Sequence, residues 1–147
     1  MEHRAVLIDK FFDEYERRFN QSLKTGEVDV NGTANSFAER FIESSPAGVV
    51  CGKNNFIFRL MIPRGFKYYR KIGTIDMSIS SRQITHLDDG HAMAKIHWKS
   101  TYKKKDASQV QIEFDVIYLL RTTDEIKIFA YITGDEQKVL REHGWIK

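Results

Sequence analysis

Cysteine is nearly absent: Cys51 stands alone in 147 residues. That excludes an intramolecular disulfide framework and a cysteine-rich zinc site, and it suits a reducing, cytoplasmic compartment. No apolar run approaches the ~20 residues a membrane span requires, so no membrane partner is expected. The stretch from Met1 to Lys10 mixes charges with apolar residues and leads into a helical pattern, unlike a secretory signal or transit peptide. Charge of one sign is also lacking. The 23 Lys and Arg against 20 Asp and Glu leave a formal +3, too little for the basic face of a nucleic-acid binder. The one basic run, Lys103 to Lys105, follows Lys99 and is cut short by Asp106 and Ser108, so it reads as a solvated hairpin tip. No P-loop, G-x-G-x-x-G or G-x-S-x-G occurs, which removes the commonest nucleotide-binding and hydrolase mechanisms. The five histidines, at 3, 86, 91, 97 and 143, lack metal-ligand spacing. His86 and His91 flank a turn, and His143 suits a helix C-terminus. Neither a metal nor a cofactor is expected.

What the chain does have is enough apolar material for a core: 41% of its residues are hydrophobic and 12% aromatic. A domain of this length buries about two-thirds of its unfolded surface without a covalent staple. Ile8, Phe11, Phe12, Tyr15, Phe19 and Leu23 recur at helical spacing, predicting a helix to about Lys24 that stops at Thr25-Gly26. Asp29 is placed to cap a second helix whose apolar face is Val30, Ala34, Phe37 and Phe41. After Ser44-Ser45-Pro46, the stretch Gly48 to Cys51 reads as a brief strand. Phe56 to Met61 and Phe66 to Ile72 read as a helix interrupted at Pro63, which has no N–H to donate.

From Thr74 the period changes to two, and four long strands follow with breaks at 87–90, 105–107 and 122–124. Along Val110 to Leu120 the even positions are apolar or aromatic, so this face looks at the helices. Matching apolar faces across hairpins sets Trp98 opposite Phe114, Ala94 opposite Tyr118, and Ile128 opposite Tyr118 on its other flank. A last short helix runs from about Asp135 to Gly144. Helices followed by an antiparallel run define an α+β architecture with helices covering one face of a curved sheet.

That register gathers Arg82, His97, Asp115 and Tyr131 as a polar row on the far face of the sheet. A histidine beside a carboxylate can act as a general base, and a tyrosine can donate to a developing oxyanion, which makes His97, Asp115 and Tyr131 catalytic candidates. The same row also reads as ordinary cross-strand pairing on a subunit interface. Met93, Ile117, Leu119 and Phe129 share that face, and Met93, Ile117 and Phe129 are its interface candidates. On the helix-facing side stand Tyr15, Tyr69, Trp98, Ser100, Tyr102 and Tyr118. Aromatic walls with hydroxyl and indole donors suit a flat apolar ligand, so Tyr15, Tyr69, Trp98, Tyr102, Phe114 and Tyr118 form the ligand-binding set; the alternative is that they simply fill the core.

The helix ending Phe66-Lys67-Tyr68-Tyr69-Arg70-Lys71-Ile72-Gly73, then Leu87-Asp88-Asp89 before a strand, resembles the nuclear transport factor 2-like superfamily. The strands Glu113 to Leu120 and Ile128 to Glu136, with Leu140 to Gly144 after them, are similar to its SnoaL-like, ketosteroid isomerase-like branch. The resemblance covers nearly the whole chain and implies one domain over residues 1–147. It implies a cone-shaped α+β, cystatin-like fold: a curved antiparallel sheet of four long strands plus a short one, with about three N-terminal helices on its concave face. It also implies a pocket between sheet and helices and a homodimer through the outer face. Members include isomerases, dehydratases and cyclases acting on small apolar substrates, often through Asp, His and Tyr, and also non-catalytic modules. The general-base aspartate and oxyanion pair of ketosteroid isomerase match no positions here, so no catalytic residue is carried over. Two functions follow: binding of a small, largely apolar ligand, with isomerase- or lyase-like proton transfer as one use of it, or a non-enzymatic dimeric interaction module whose pocket is filled.

Overall fold

The first helical stripe winds through α1 (Glu2–Thr25) and buries Ile8 and Phe12 completely. The computed structural model describes residues 2–147; Met1, the start of the N-terminal stretch considered above, lies outside them. Asp29 caps α2 (Val30–Asn35), its Oδ1 accepting from the Gly32 N–H at 2.9 Å. This helix is only six residues long, and the expected face from Val30 to Phe41 is split. Phe37 and Phe41 lie instead on a strand, β1 (Phe37–Ser45), which forms a hairpin with β2 (Gly48–Lys53). A spacing of four residues brings two side chains to one face of a strand as readily as of a helix, and here the neighbouring backbone decides. The Ile128 N–H donates to the Ser36 carbonyl at 2.8 Å, and Asn54 Nδ2 donates to the carbonyls of Ala34 and Phe37 at 2.6 and 3.1 Å.

Helix α3 (Phe56–Lys71) begins at Asn55, whose Oδ1 accepts from the Phe58 N–H at 3.0 Å. It runs unbroken through Pro63, so the expected interruption does not occur. Ile62 and Phe66 are buried against Ala34, and the Phe66 ring meets Phe19 edge-on at 4.9 Å. That packing offsets the roughly 3 kcal/mol that a proline costs inside a helix. Four strands follow: β3 (Thr74–Asp88), β4 (His91–Lys103), β5 (Gln109–Arg121) and β6 (Lys127–Thr133). Helix α4 (Glu136–Glu142), capped by Asp135, is the last helix among the described residues.

The α+β architecture is therefore a curved, unclosed six-stranded sheet in the order β2-β1-β6-β5-β4-β3, antiparallel except where β1 runs parallel to β6. The β4–β5 hairpin has the expected register, with Trp98 opposite Phe114 and Ala94 opposite Tyr118. Its neighbours do not. A bulge in β6 sets Leu120 opposite Ile128 but Tyr118 opposite Tyr131, so Ile128 does not face Tyr118. The extra residue reverses the parity beyond it and turns Tyr131 toward the helices. A bulge in β3 likewise sets Arg82 opposite Ile96 rather than His97, on the side of α1. There Arg82 donates to Asp9 and, at 2.6 Å, to Asp13. Helix α1 grips β3 beside that bulge: Asn20 exchanges two hydrogen bonds with the Met77 backbone, and Glu16 accepts from the Ile79 N–H. Among the described residues no helix is long and apolar enough to cross a membrane.

Candidate functional site

The helices do not close completely onto the concave face, and a cavity of about 370 Å³ remains between them. Trp98 of β4, Phe114, Val116 and Tyr118 of β5, and Tyr131 of β6 form its floor. Tyr15, Arg18 and Phe19 of α1 and Phe58, Ile62, Phe66 and Tyr69 of α3 form its cover. Glu43 on β1 and Glu136 at the start of α4 add two carboxyl groups. The volume falls in the range of small-molecule sites, roughly 300–1,000 Å³, and the mix of aromatic wall with a few polar groups is typical of them.

The polar groups are ordered by hydrogen bonds. The Trp98 indole N–H donates to the Tyr118 hydroxyl at 3.2 Å, and the Tyr118 ring meets Tyr15 edge-on with centroids 6.0 Å apart. The Tyr118 and Tyr131 rings stack 6.4 Å apart, and the Tyr131 hydroxyl donates to Glu43 Oε2 at 2.9 Å. Tyr102 donates to Glu136, and Tyr69 is a second donor to the same carboxyl. Arg18 donates to Ser36 Oγ at 2.6 Å. Burial raises the Tyr15 hydroxyl and pushes those of Tyr69, Tyr118 and Tyr131 well above the ordinary phenol range, so all four stay protonated. Burial also raises the Glu136 carboxyl, against the two tyrosine donors that favour its charged form. A carboxyl of raised pKa beside tyrosine hydroxyls is a group able to exchange a proton with a bound molecule.

Five of the six residues of the ligand-binding set, Tyr15, Tyr69, Trp98, Phe114 and Tyr118, line this cavity. Tyr102 does not. It is fully buried in a separate cluster with Ile112, Leu140 and Trp145, and reaches the site only through Glu136. The polar row is divided between the faces. His97 and Asp115 meet on the outer face, Nδ1 to Oδ1 2.7 Å, with Glu113 Oε1 3.1 Å from Nε2. These two carboxylates, Asp115 foremost, raise the imidazole pKa. Tyr131 stands on the concave face, so the three residues do not form one constellation. Met93, Ile117 and Phe129 lie on the outer face, where Ile42 and Ile132 are exposed beside them. Sequence reasoning missed Glu43, Glu136 and Arg18. Glu43 fell in a segment read without a strand, and nothing in the spacing of Glu136 links it to Tyr69 or Tyr102. Among the described residues, no group of three or more His, Cys, Asp or Glu side chains is gathered to hold a metal ion.

Comparison with known proteins agrees with this fold. Residues 2–136 match the profile of a family described as NTF2-like protein (DUF6841). No curated protein matches the chain. Among solved structures it is similar to Aln2 from a Streptomyces species, with a TM-score of 0.68 and 15% identity over 97% of each chain. A ketosteroid isomerase-like protein from Erwinia carotovora atroseptica gives a TM-score of 0.64 at 13% identity, over 91% of this chain and 97% of that one. An NTF2-like protein with a cystatin-like fold from Novosphingobium aromaticivorans gives 0.69 at 8% identity, over 99% and 90%. At such identities the likeness is one of fold.

Proposed function

Since the chain belongs to the NTF2-like family whose profile spans residues 2–136, we propose that it binds a small, largely apolar ligand between its helices and the concave face of the sheet. The cavity itself carries the proposal: about 370 Å³ walled by aromatic rings, with tyrosine hydroxyls and two carboxyl groups at its edge. Filled-core packing would leave few voids larger than a water molecule, and this space is several times that size. Tyr15, Tyr69, Trp98, Phe114 and Tyr118 supply the apolar contacts. The chemistry this arrangement supports is proton transfer of the isomerase or lyase kind, with Glu136 as the acid–base group and Tyr69 as the donor beside it. Likeness to a ketosteroid isomerase-like protein fits the same reading. His97 and Asp115 are set aside as catalytic groups, because they face away from the cavity.

Native mass spectrometry of the purified protein tests the proposal. A co-purified small molecule, or one captured from a metabolite library, supports it. Repeated absence of any adduct favours the non-enzymatic interaction module. The outer face supports a homodimer, since Met93, Ile117, Leu119, Phe129 and the exposed Ile42 and Ile132 make an apolar area there.

A further inference from the structure

Helix α3 has a second face that the core does not use and that borders the cavity only at Met61. Its inward side chains, Phe58, Ile62, Phe66 and Tyr69, point into the fold. On the opposite side Phe56, Ile57, Leu60 and Met61 are 72%, 67%, 52% and 51% exposed. These are large apolar side chains in adjacent helical positions, and isolated exposure is ordinary where a contiguous patch is not. The same face continues along the axis as Arg64, Lys67, Tyr68 and Lys71, all exposed. Over its 16 residues α3 carries Arg59, Arg64, Lys67, Arg70 and Lys71 and no acidic residue. Arg59 is held by Asn31 and Arg70 by the Gly26 carbonyl, which leaves Arg64, Lys67 and Lys71 beside the patch. In a chain whose acids and bases nearly balance, this local excess is a property of the helix and not of the composition.

We propose that α3 docks on an anionic bilayer surface. The first half of its outer face enters the headgroup–acyl boundary through Phe56, Ile57, Leu60 and Met61. Arg64, Lys67 and Lys71 meet the phosphates. This is the chemistry of an interfacial amphipathic helix, with apolar insertion and electrostatic attraction acting together. Charge decides between occupants. A second copy of the chain would set one cationic α3 against another, and an apolar protein partner would leave the three cations without counterions. The expectation of no membrane partner rested on the lack of a spanning run, which does not bear on a helix lying at the surface. Met61 belongs both to the exposed patch and to the cavity lining, so docking holds the edge of the cavity at the bilayer. The docking inference rests on α3 alone; only this last consequence depends on the ligand reading.

Cosedimentation with lipid vesicles tests it. With phosphatidylcholine vesicles containing phosphatidylglycerol at low salt, the full chain is expected in the pellet. With phosphatidylcholine alone it is expected in the supernatant, and added salt should release the bound fraction. Lys67→Gln and Lys71→Gln should each lower partitioning about fivefold, in line with the attraction of one basic side chain to such a surface. Phe56→Ser combined with Ile57→Ser should lower it further without changing the far-ultraviolet circular dichroism, since both side chains are exposed. Lys95→Gln, on the outer sheet face, should leave it unchanged. Binding equal on both vesicle types, no binding to either, or unchanged partitioning of the α3 variants would overturn the proposal. So would a fall in oligomer mass of Phe56→Ser, Ile57→Ser by light scattering, which assigns the patch to a second copy. A chain that binds vesicles but captures no small molecule would leave docking intact and remove the ligand reading.

Discussion

At the scale of single residues the cavity is held by tyrosine hydroxyls, and their partners predict what substitution does. Tyr118 accepts from the buried Trp98 indole at 3.2 Å. Tyr118→Phe leaves that N–H without an acceptor and is expected to cost about 1–3 kcal/mol in chemical denaturation. Trp98→Phe combined with Tyr118→Phe should then cost less than the two single losses summed. Glu136 is a second reporter. Its carboxyl pKa is raised in the folded state, so the native protein holds a proton that the unfolded chain has released. Stability should therefore fall as pH rises from the ordinary carboxylate pKa to the folded one, and Glu136→Gln should flatten that slope. His97 behaves in the matching sense for a base. Its pKa is raised by Asp115 and Glu113, so its contribution is fully present below the ordinary imidazole pKa and is lost as pH rises through the folded value. Titration of the His97 ring by NMR should show a pKa above about 6.5, and Asp115→Asn should bring it down toward that value.

At the scale of elements, turns and bulges decide where those side chains go. Gly73, between α3 and β3, has φ of +92°, and a Cβ there would lie 2.4 Å from the Lys103 carbonyl oxygen. Gly73→Ala is expected to cost about 2 kcal/mol or more, read as a lower denaturant midpoint at unchanged slope. The strands from Thr74 onward were legible because their faces alternate, and so was the β4–β5 register, where the hairpin has no bulge. Bulges are not legible in alternation, because an inserted residue is recognised only against its partner strand. Alternation alone therefore puts Tyr131 in the outer row with His97 and Arg82 beside His97, whereas Tyr131 faces the helices and Arg82 binds Asp9 and Asp13 of α1. Phe37 and Phe41 illustrate a second limit, since their spacing suits a helix and a strand equally and only the pairing of β1 with β6 decides. Most of the aromatic cavity wall was readable from faces. Its charged groups, Glu43, Glu136 and Arg18, come from three separated segments whose meeting is a property of the fold.

At the scale of the whole molecule, one curved sheet presents two surfaces, an outer face and a concave face under the helices. Its outer face carries Ile117 and Phe129, the proposed dimer contact. Ile117→Asp places an uncompensated charge there and should give monomers by light scattering, whereas an unchanged mass would exclude that face as the contact. On the concave face, the proposed function requires that the space between helices and sheet admit an apolar molecule instead of being closed by Tyr and Trp side chains. A crystal of the protein pressurised with xenon tests this most directly, because xenon enters apolar cavities without needing the natural ligand. A xenon peak is expected among Trp98, Phe114, Tyr118 and Phe66. Rings packed against one another in that space, with no xenon between them, would contradict it.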